Sequence, residues 1–234
     1  MDLSHIDIVG ITFKMIAFIF AISVHESAHA WTANRCGDPT ARMLGRISLN
    51  PVVHIDPIGT ILMPLLALVG HMPTIGWAKP TPVDPQNFRH KMRDDVLTSV
   101  AGPVSNVVIA FGALVILFLV AKISPIGRNL VTFMPYTYEK GVAAMGSSSV
   151  LVPITLFFYE LVRINIILAI FNLIPVPPLD GSHVLRHFLS DPIRRVYDSV
   201  GIFALFALVF LGGNLLWRLI SPFIDAADRV LIKF

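Results

Sequence analysis

His25, Glu26 and His29 stand in the pattern H-E-x-x-H inside an apolar run over residues 8–33. On a helix of 3.6 residues per turn the two imidazoles lie one turn apart on one face. Histidines so placed can share one Zn²⁺, and a zinc ion with three protein ligands keeps a fourth position open for water. Glu26 follows the first histidine directly, so its carboxylate can reach that water and take its proton. The chemistry this pattern suits is metal-assisted hydrolysis.

A lone histidine on an apolar helix is usually a satisfied core residue. With 8 histidines, and glutamates only at 26, 139 and 160, chance placement gives H-E-x-x-H about once in 300 chains of this composition. An ionisable residue in an apolar segment costs roughly 2.5–3.5 kcal/mol on insertion scales. A cluster of them there requires a reason, and a shared metal supplies one.

The whole chain supports a membrane setting for this motif. It has 234 residues, 55% hydrophobic and 14% charged, with a mean hydropathy of +0.73; a soluble domain carries about 25% charged residues. The net charge is +3, with no Lys/Arg-rich block and no aromatic-basic patch. This reads as loop bias and argues against nucleic acid as a partner. The single cysteine, Cys36, can form neither an internal disulfide nor a Cys-pair zinc site. Asp2 and Asp7 precede an apolar run too long for a signal h-region, so the first run is expected to be retained. Internal repeats and low-complexity segments are absent from the sequence.

Helical spans are expected over about residues 8–34, 96–121, 150–173 and 199–220, each long enough to cross a bilayer. Residues 57–70 are apolar but would make a helix of only about 21 Å, against a core of about 30 Å; they form a short span or a re-entrant segment. Residues 42–49 alternate weakly and predict a short strand. Residues 76–83 (Gly-Trp-Ala-Lys-Pro-Thr-Pro-Val) cannot be helix interior because of Pro80 and Pro82, and they predict an extended edge strand with Trp77 and Lys79 at headgroup level. The connection 122–149 has room for a surface helix. In the third span Glu160 and Arg163, at i and i+3, can neutralise each other. The fold expected is an all-α polytopic membrane protein. It is a bundle of about 4–6 transmembrane or re-entrant helices with a short membrane-associated β-hairpin. Residues 1–234 are expected to form one membrane-embedded domain, with a catalytic core at about 8–185 and C-terminal helices at 199–234.

Arginines and lysines follow the first span (Arg35, Arg42, Arg46), precede the second (Lys79, Arg89, Lys91, Arg93) and precede the last (Arg186, Arg194, Arg195). All are cytoplasmic if the N-terminus is outside, which favours the re-entrant form for 57–77; Lys122, Arg128 and Lys140 conflict mildly. A third zinc ligand must come from elsewhere, and Asp180 is the best candidate. It lies just past the cytoplasmic end of the 150–173 span, at a depth matching the histidines. Pro175, Pro177 and Pro178 hold irregular backbone there, tolerated at membrane depth only when buried in protein or lining a wet cavity. His54, beside Asp56-Pro57, reads more readily as structural than as a ligand. His183 and His187, with Arg186 between them, read as a solvated face.

The stretch Phe171-Asn172-Leu173-Ile174-Pro175-Val176-Pro177-Pro178-Leu179-Asp180-Gly181 resembles the second signature of the site-2 proteases, N-x-x-P-x-P-x-L-D-G, which that family pairs with an H-E-x-x-H helix. Both stand here in order, about 150 residues apart. Ala101-Gly102-Pro103-Val104-Ser105-Asn106 resembles the family's G-P-x-x-N segment. Leu49-Asn50-Pro51, His54-Ile55-Asp56-Pro57-Ile58-Gly59 and Gly76-Trp77-Ala78-Lys79-Pro80 resemble stretches of its small prokaryotic members. The resemblance implies an intramembrane zinc endopeptidase with one Zn²⁺ per chain held by His25, His29 and Asp180. Glu26 would be general base and acid, Asn172 near the site as an oxyanion donor, and Asn106 close to the substrate path. It also implies transmembrane protein substrates, a lipid bilayer as setting, and a prokaryotic inner membrane with the site towards the cytoplasm. Many relatives carry a PDZ or CBS domain, for which no stretch here fits.

From the residues, the extended segment 76–83 is expected to pair with an unwound substrate peptide, which makes Trp77, Lys79 and Val83 substrate contacts. Two other readings stay open: a membrane metal-ion transporter, which would bury His, Asp and Asn without needing Glu26 beside a ligand, and an inactive protein that binds membrane helices.

Overall fold

The computed structural model describes residues 8–64, 66, 76–137 and 149–234. Apolar length decides the main elements. Helix α1 runs Ile8–Cys36 with 29 residues, about 43 Å of rise, enough to cross a hydrocarbon core. A single turn, α2, covers Thr40–Met43. Helix α3, Lys91–Ile123, carries Pro103 in its interior. Then come α4 at Pro125–Thr137, α5 at Leu151–Asn172, the short α6 at Asp180–Arg186, α7 at Asp191–Phe210 and α8 at Gly213–Ile232. Of these, α1, α3 and α5 are each long and apolar enough to span a membrane. Helix α4 occupies part of the 122–149 connection.

The predicted last span over 199–220 is two helices. Helices α7 and α8 meet at a bend of 75°. The break falls where Leu211 and Gly212 both donate main-chain N–H groups to the Ala207 carbonyl, closing the end of α7. The question of whether 57–77 spans or re-enters falls largely on residues outside those described. The described start, Pro57–Leu62, is a π-helical turn whose first amides, of Ile58 and Gly59, are capped by the Asp56 carboxylate.

The chain clusters into two compact units. One comprises Met1–Ala21, Val107–Ile167 and Ser221–Phe234. Its core joins Ala17 of α1, Ala113, Leu117 and Ala121 of α3, Val131 and Met134 of α4, Leu156 and Tyr159 of α5, and Ala227 and Leu231 of α8. The α3 residues recur every four positions, which puts one narrow stripe against the neighbours. The buried Tyr159 hydroxyl donates to the Asp228 carboxylate at 3.0 Å and the Arg163 guanidinium donates to the same hydroxyl at 3.3 Å.

The other unit comprises Ile22–Asn106 and Leu168–Ile220, and contains both signatures. The expected β-hairpin is not there: no strand is found among the described residues. Residues 42–43 belong to α2, 44–45 to a turn and 46–49 to irregular backbone. Residues 76–83 are neither helix nor strand. Pro80 and Pro82 have no N–H to offer a ladder. The other polar groups are taken individually: Trp77 N–H by the Gly59 carbonyl, Lys79 N–H by the His54 carbonyl at 2.8 Å, and the Lys79 and Pro80 carbonyls by the Arg46 guanidinium.

Candidate metal centre

His25 and His29 both lie on α1 and both are buried. Their Nε2 atoms are 3.0 Å apart. Asp180, the first residue of α6, brings Oδ2 to 3.2 Å from His25 Nε2 and Oδ1 to 3.4 Å from His29 Nε2. These three residues form the group of possible metal ligands among the described residues.

The donor set fits zinc. Tetrahedral ligands at about 2.0–2.1 Å from a zinc ion sit about 3.3 Å from one another, and the three separations bracket that value. The other imidazole nitrogens fix the ring orientations. His29 Nδ1 donates to the Thr98 carbonyl at 2.7 Å, and His25 Nδ1 faces Asn106 Oδ1 at 3.0 Å. With the Nδ1 protons so engaged, both Nε2 lone pairs point to the common centre, as a histidine's outer partner does in metal sites. Asp180 Oδ2 is buried without a hydrogen-bond partner, a cost that a cation at the centre removes. Burial would push the Asp180 carboxyl up. The neighbouring His25 and His29 outweigh this and hold it well below the usual carboxylate range.

Two glycines allow this approach. At Gly102, on α3, a Cβ would stand 2.3 Å from His29 Nε2 and 2.5 Å from His25 Cε1. At Gly181 it would stand 2.3 Å from the Leu173 carbonyl oxygen, so only glycine lets the turn after α5 fold back tightly enough to present Asp180.

Glu26 does not join the metal group. Its Oε2 accepts the Thr81 main-chain N–H at 2.8 Å and the Thr81 hydroxyl at 2.7 Å. Neither Thr81 nor Thr98 has a motif signal; both contacts arise from residues distant in sequence. Asn106, expected on the substrate path, is fully buried and faces a histidine. Asn172 Nδ2 donates to the Leu168 carbonyl at 3.1 Å, back onto its own helix. Trp77 is exposed and its carbonyl accepts the Thr60 hydroxyl at 2.7 Å. Lys79 is also exposed. Val83 packs on Ala33, Cys36 and Phe88. His54 is fully buried, its Nε2 donating to the Ser48 carbonyl at 2.7 Å. His183 and His187 are not a solvated face: they clasp Asp95 of α3, with Nε2 of His187 at 2.8 Å from Oδ2 and Nδ1 of His183 at 3.4 Å from Oδ1.

The sequence model of peptidase family M50 matches residues 13–212. The protein named "Putative zinc metalloprotease YwhC" of Bacillus subtilis (strain 168) is 33% identical over 227 residues, covering 94% of this chain and 90% of that protein. Two proteins of the same designation, both named Rip2, are 27% identical. The one from Mycolicibacterium smegmatis aligns over 80% of this chain and 61% of its own length. The one from Mycobacterium tuberculosis aligns over 86% and 67%. No solved structure matches significantly. A family match across most of the chain, joined to a buried His-His-Asp donor set and long apolar helices, places this integral membrane protein in peptidase family M50, the site-2 proteases, as a zinc metalloprotease.

Proposed function

We propose that the protein hydrolyses peptide bonds within transmembrane segments of other membrane proteins. The observation that carries this reading is the convergence of His25 Nε2 and His29 Nε2, from the C-terminal half of the apolar helix α1, with the Asp180 carboxylate at the start of α6, and with Glu26 next to His25. His25, His29 and Asp180 are the zinc ligands. Zinc, when bound, polarises the scissile carbonyl and lowers the pKa of water towards about 7. Glu26 takes a proton from the attacking water and passes it to the leaving amine. Asn106 and the Thr98 carbonyl hold the imidazoles in the tautomer with Nε2 free. The exposed side chains of Trp77 and Lys79 contact the unwound substrate, whose carbonyls are shielded for as long as it stays helical. Asn172 serves as oxyanion donor once its amide leaves the Leu168 carbonyl. The whole chain acts as one membrane-embedded protease in a prokaryotic inner membrane, its site opening to the cytoplasm.

The test is incubation of the purified protein in vesicles with a panel of single-span membrane proteins, fragments being read by mass spectrometry. Cleavage within the spans is expected. A chelator should abolish it, and Glu26→Gln should lower it by about 10²–10⁴-fold while keeping about one zinc per chain. Equal fragment yields from parent and Glu26→Gln would overturn the role of Glu26. Cleavage confined to soluble loops would overturn the intramembrane reading.

A further inference from the structure

Glu26 has two carboxylate oxygens, and the structure treats them differently. Oε2 accepts both the Thr81 N–H and the Thr81 hydroxyl, while no residue among those described donates a hydrogen bond to Oε1. The same hydroxyl also lies 3.0 Å from the Glu26 main-chain carbonyl, so its one proton is shared between that oxygen and the closer Oε2, while the Thr81 N–H stays on Oε2. Thr81 is itself fixed. One residue before it the Pro80 carbonyl accepts from Arg46 Nη2 at 3.0 Å, and the Arg46 guanidinium also donates to the Lys79 and Val53 carbonyls. Arg46 is a buried cation whose Nη1 and Nη2 are spent on main-chain carbonyls while its Nε has no partner, so the three carbonyl bonds offset a costly burial. Lys79 N–H on the His54 carbonyl completes the fixing.

We propose that Thr81 is the positioning residue of Glu26: it occupies Oε2 and leaves Oε1 as the oxygen that exchanges protons, with Arg46 setting the register of the segment that presents Thr81. This rests on Glu26 being the general base. A base held in one rotamer does not lose time to unproductive ones, and a carboxylate with one oxygen doubly hydrogen-bonded presents only the other to water. The segment 76–83 therefore serves catalysis through Glu26, apart from any contact with substrate. The signal is invisible in sequence, because threonine at this position belongs to no motif and its partner is 55 residues away.

The experiment compares Thr81→Val, Thr81→Ser and Glu26→Gln with the parent in vesicles, reading kcat, KM and zinc content. Valine keeps the shape and the N–H but loses the hydroxyl. The expected result is a fall in kcat of about tenfold with KM and zinc unchanged, and recovery to near the parent in Thr81→Ser. Parent-like kcat in Thr81→Val, beside an inactive Glu26→Gln, would overturn the role of Thr81 while leaving Glu26 as base. A rise in KM at constant kcat would also overturn it, making Thr81 a substrate contact. An active Glu26→Gln would instead remove the functional reading beneath it. If Thr81→Val does not assemble, Thr81→Ala decides by the same criteria. In the double variant Arg46→Met, Thr81→Val, a loss no larger than that of the greater single variant supports action through Thr81. Additive losses would overturn the part assigned to Arg46.

Discussion

At the scale of single residues, the metal centre depends on atoms that are not ligands. His25→Ala, His29→Ala and Asp180→Ala should each lose most bound zinc, since two donors of a three-residue set rarely retain it. Gly102→Ala should do the same without touching a ligand, because its methyl would fall 2.3 Å from His29 Nε2. Metal analysis of the purified variants checks all four, and full zinc in Gly102→Ala would show that α3 can move aside. Asn106→Ala is different in kind. It removes the partner of His25 Nδ1 and should weaken zinc by about 10–100-fold, the usual effect of losing an outer partner. Competition with a graded set of chelators measures this, and an unchanged affinity would mean that the ring holds its orientation by packing alone.

At the scale of elements, two carboxylates fasten the pieces that carry the site. Asp38, directly after α1, accepts from Thr40 Oγ1 at 2.5 Å, Thr40 N–H at 3.1 Å, Asp84 N–H at 2.8 Å and Asn87 Nδ2 at 3.0 Å. Burial would raise its pKa, but these donors outweigh burial and lower it. A carboxylate whose folded pKa lies below its unfolded value of about 3.9 stabilises the fold above that pH and loses the contribution as pH falls through the folded pKa. Asp38→Asn should therefore cost about 2 kcal/mol at neutral pH. Its melting temperature should approach that of the parent only below about pH 4, measured on zinc-free protein so that ligand protonation does not interfere. A gap independent of pH down to the acid limit would show that the amide replaces the carboxylate fully. The second fastening is Asp95, held by His183 and His187 just beyond Asp180. It ties α6 to the helix that also carries Gly102 and Asn106. Asp95→Ala should weaken zinc roughly tenfold by loosening the third ligand; titration with a fluorescent zinc chelator reads it, and parent affinity would make the clasp irrelevant to the site.

At the scale of the whole molecule, the distribution of Arg and Lys predicts which ends of the helices face the cytoplasm. Arg42, Arg89, Arg186 and Arg194 should share that side. The chain's single cysteine, Cys36, is buried, so Cys36→Ser gives a clean background for introduced thiols. Arg42→Cys and Arg194→Cys should react with an impermeant maleimide in inverted membrane vesicles and not in intact cells. Labelling of either in intact cells would reverse the orientation.

The sequence by itself determined the parts whose physics is local. A histidine four residues from another on a helix must share its face, and an apolar run of such length favours a long helix even across Pro103, so α1, α3 and α5 and the shared face of His25 and His29 were readable. The proline-rich break before Asp180 was equally local, and its depth made Asp180 the candidate that the structure brings beside His25 and His29. Tertiary structure decided whatever depends on partners far along the chain. That residues 76–83 could not be helix was legible from Pro80 and Pro82, but the segment's partners were not. A hairpin needs donors on both strands, and here Pro80 and Pro82 lack them while Arg46, His54 and Glu26 take the remaining polar groups. His183 and His187 looked solvated until Asp95, 92 residues from His187, stood beside them. Asn106 faced a histidine 81 residues away, a contact that no motif announces. Periodicity encodes which face of an element is apolar; it does not encode which distant group completes a buried hydrogen bond. The requirement that each buried polar group find a partner is met only when the chain has folded.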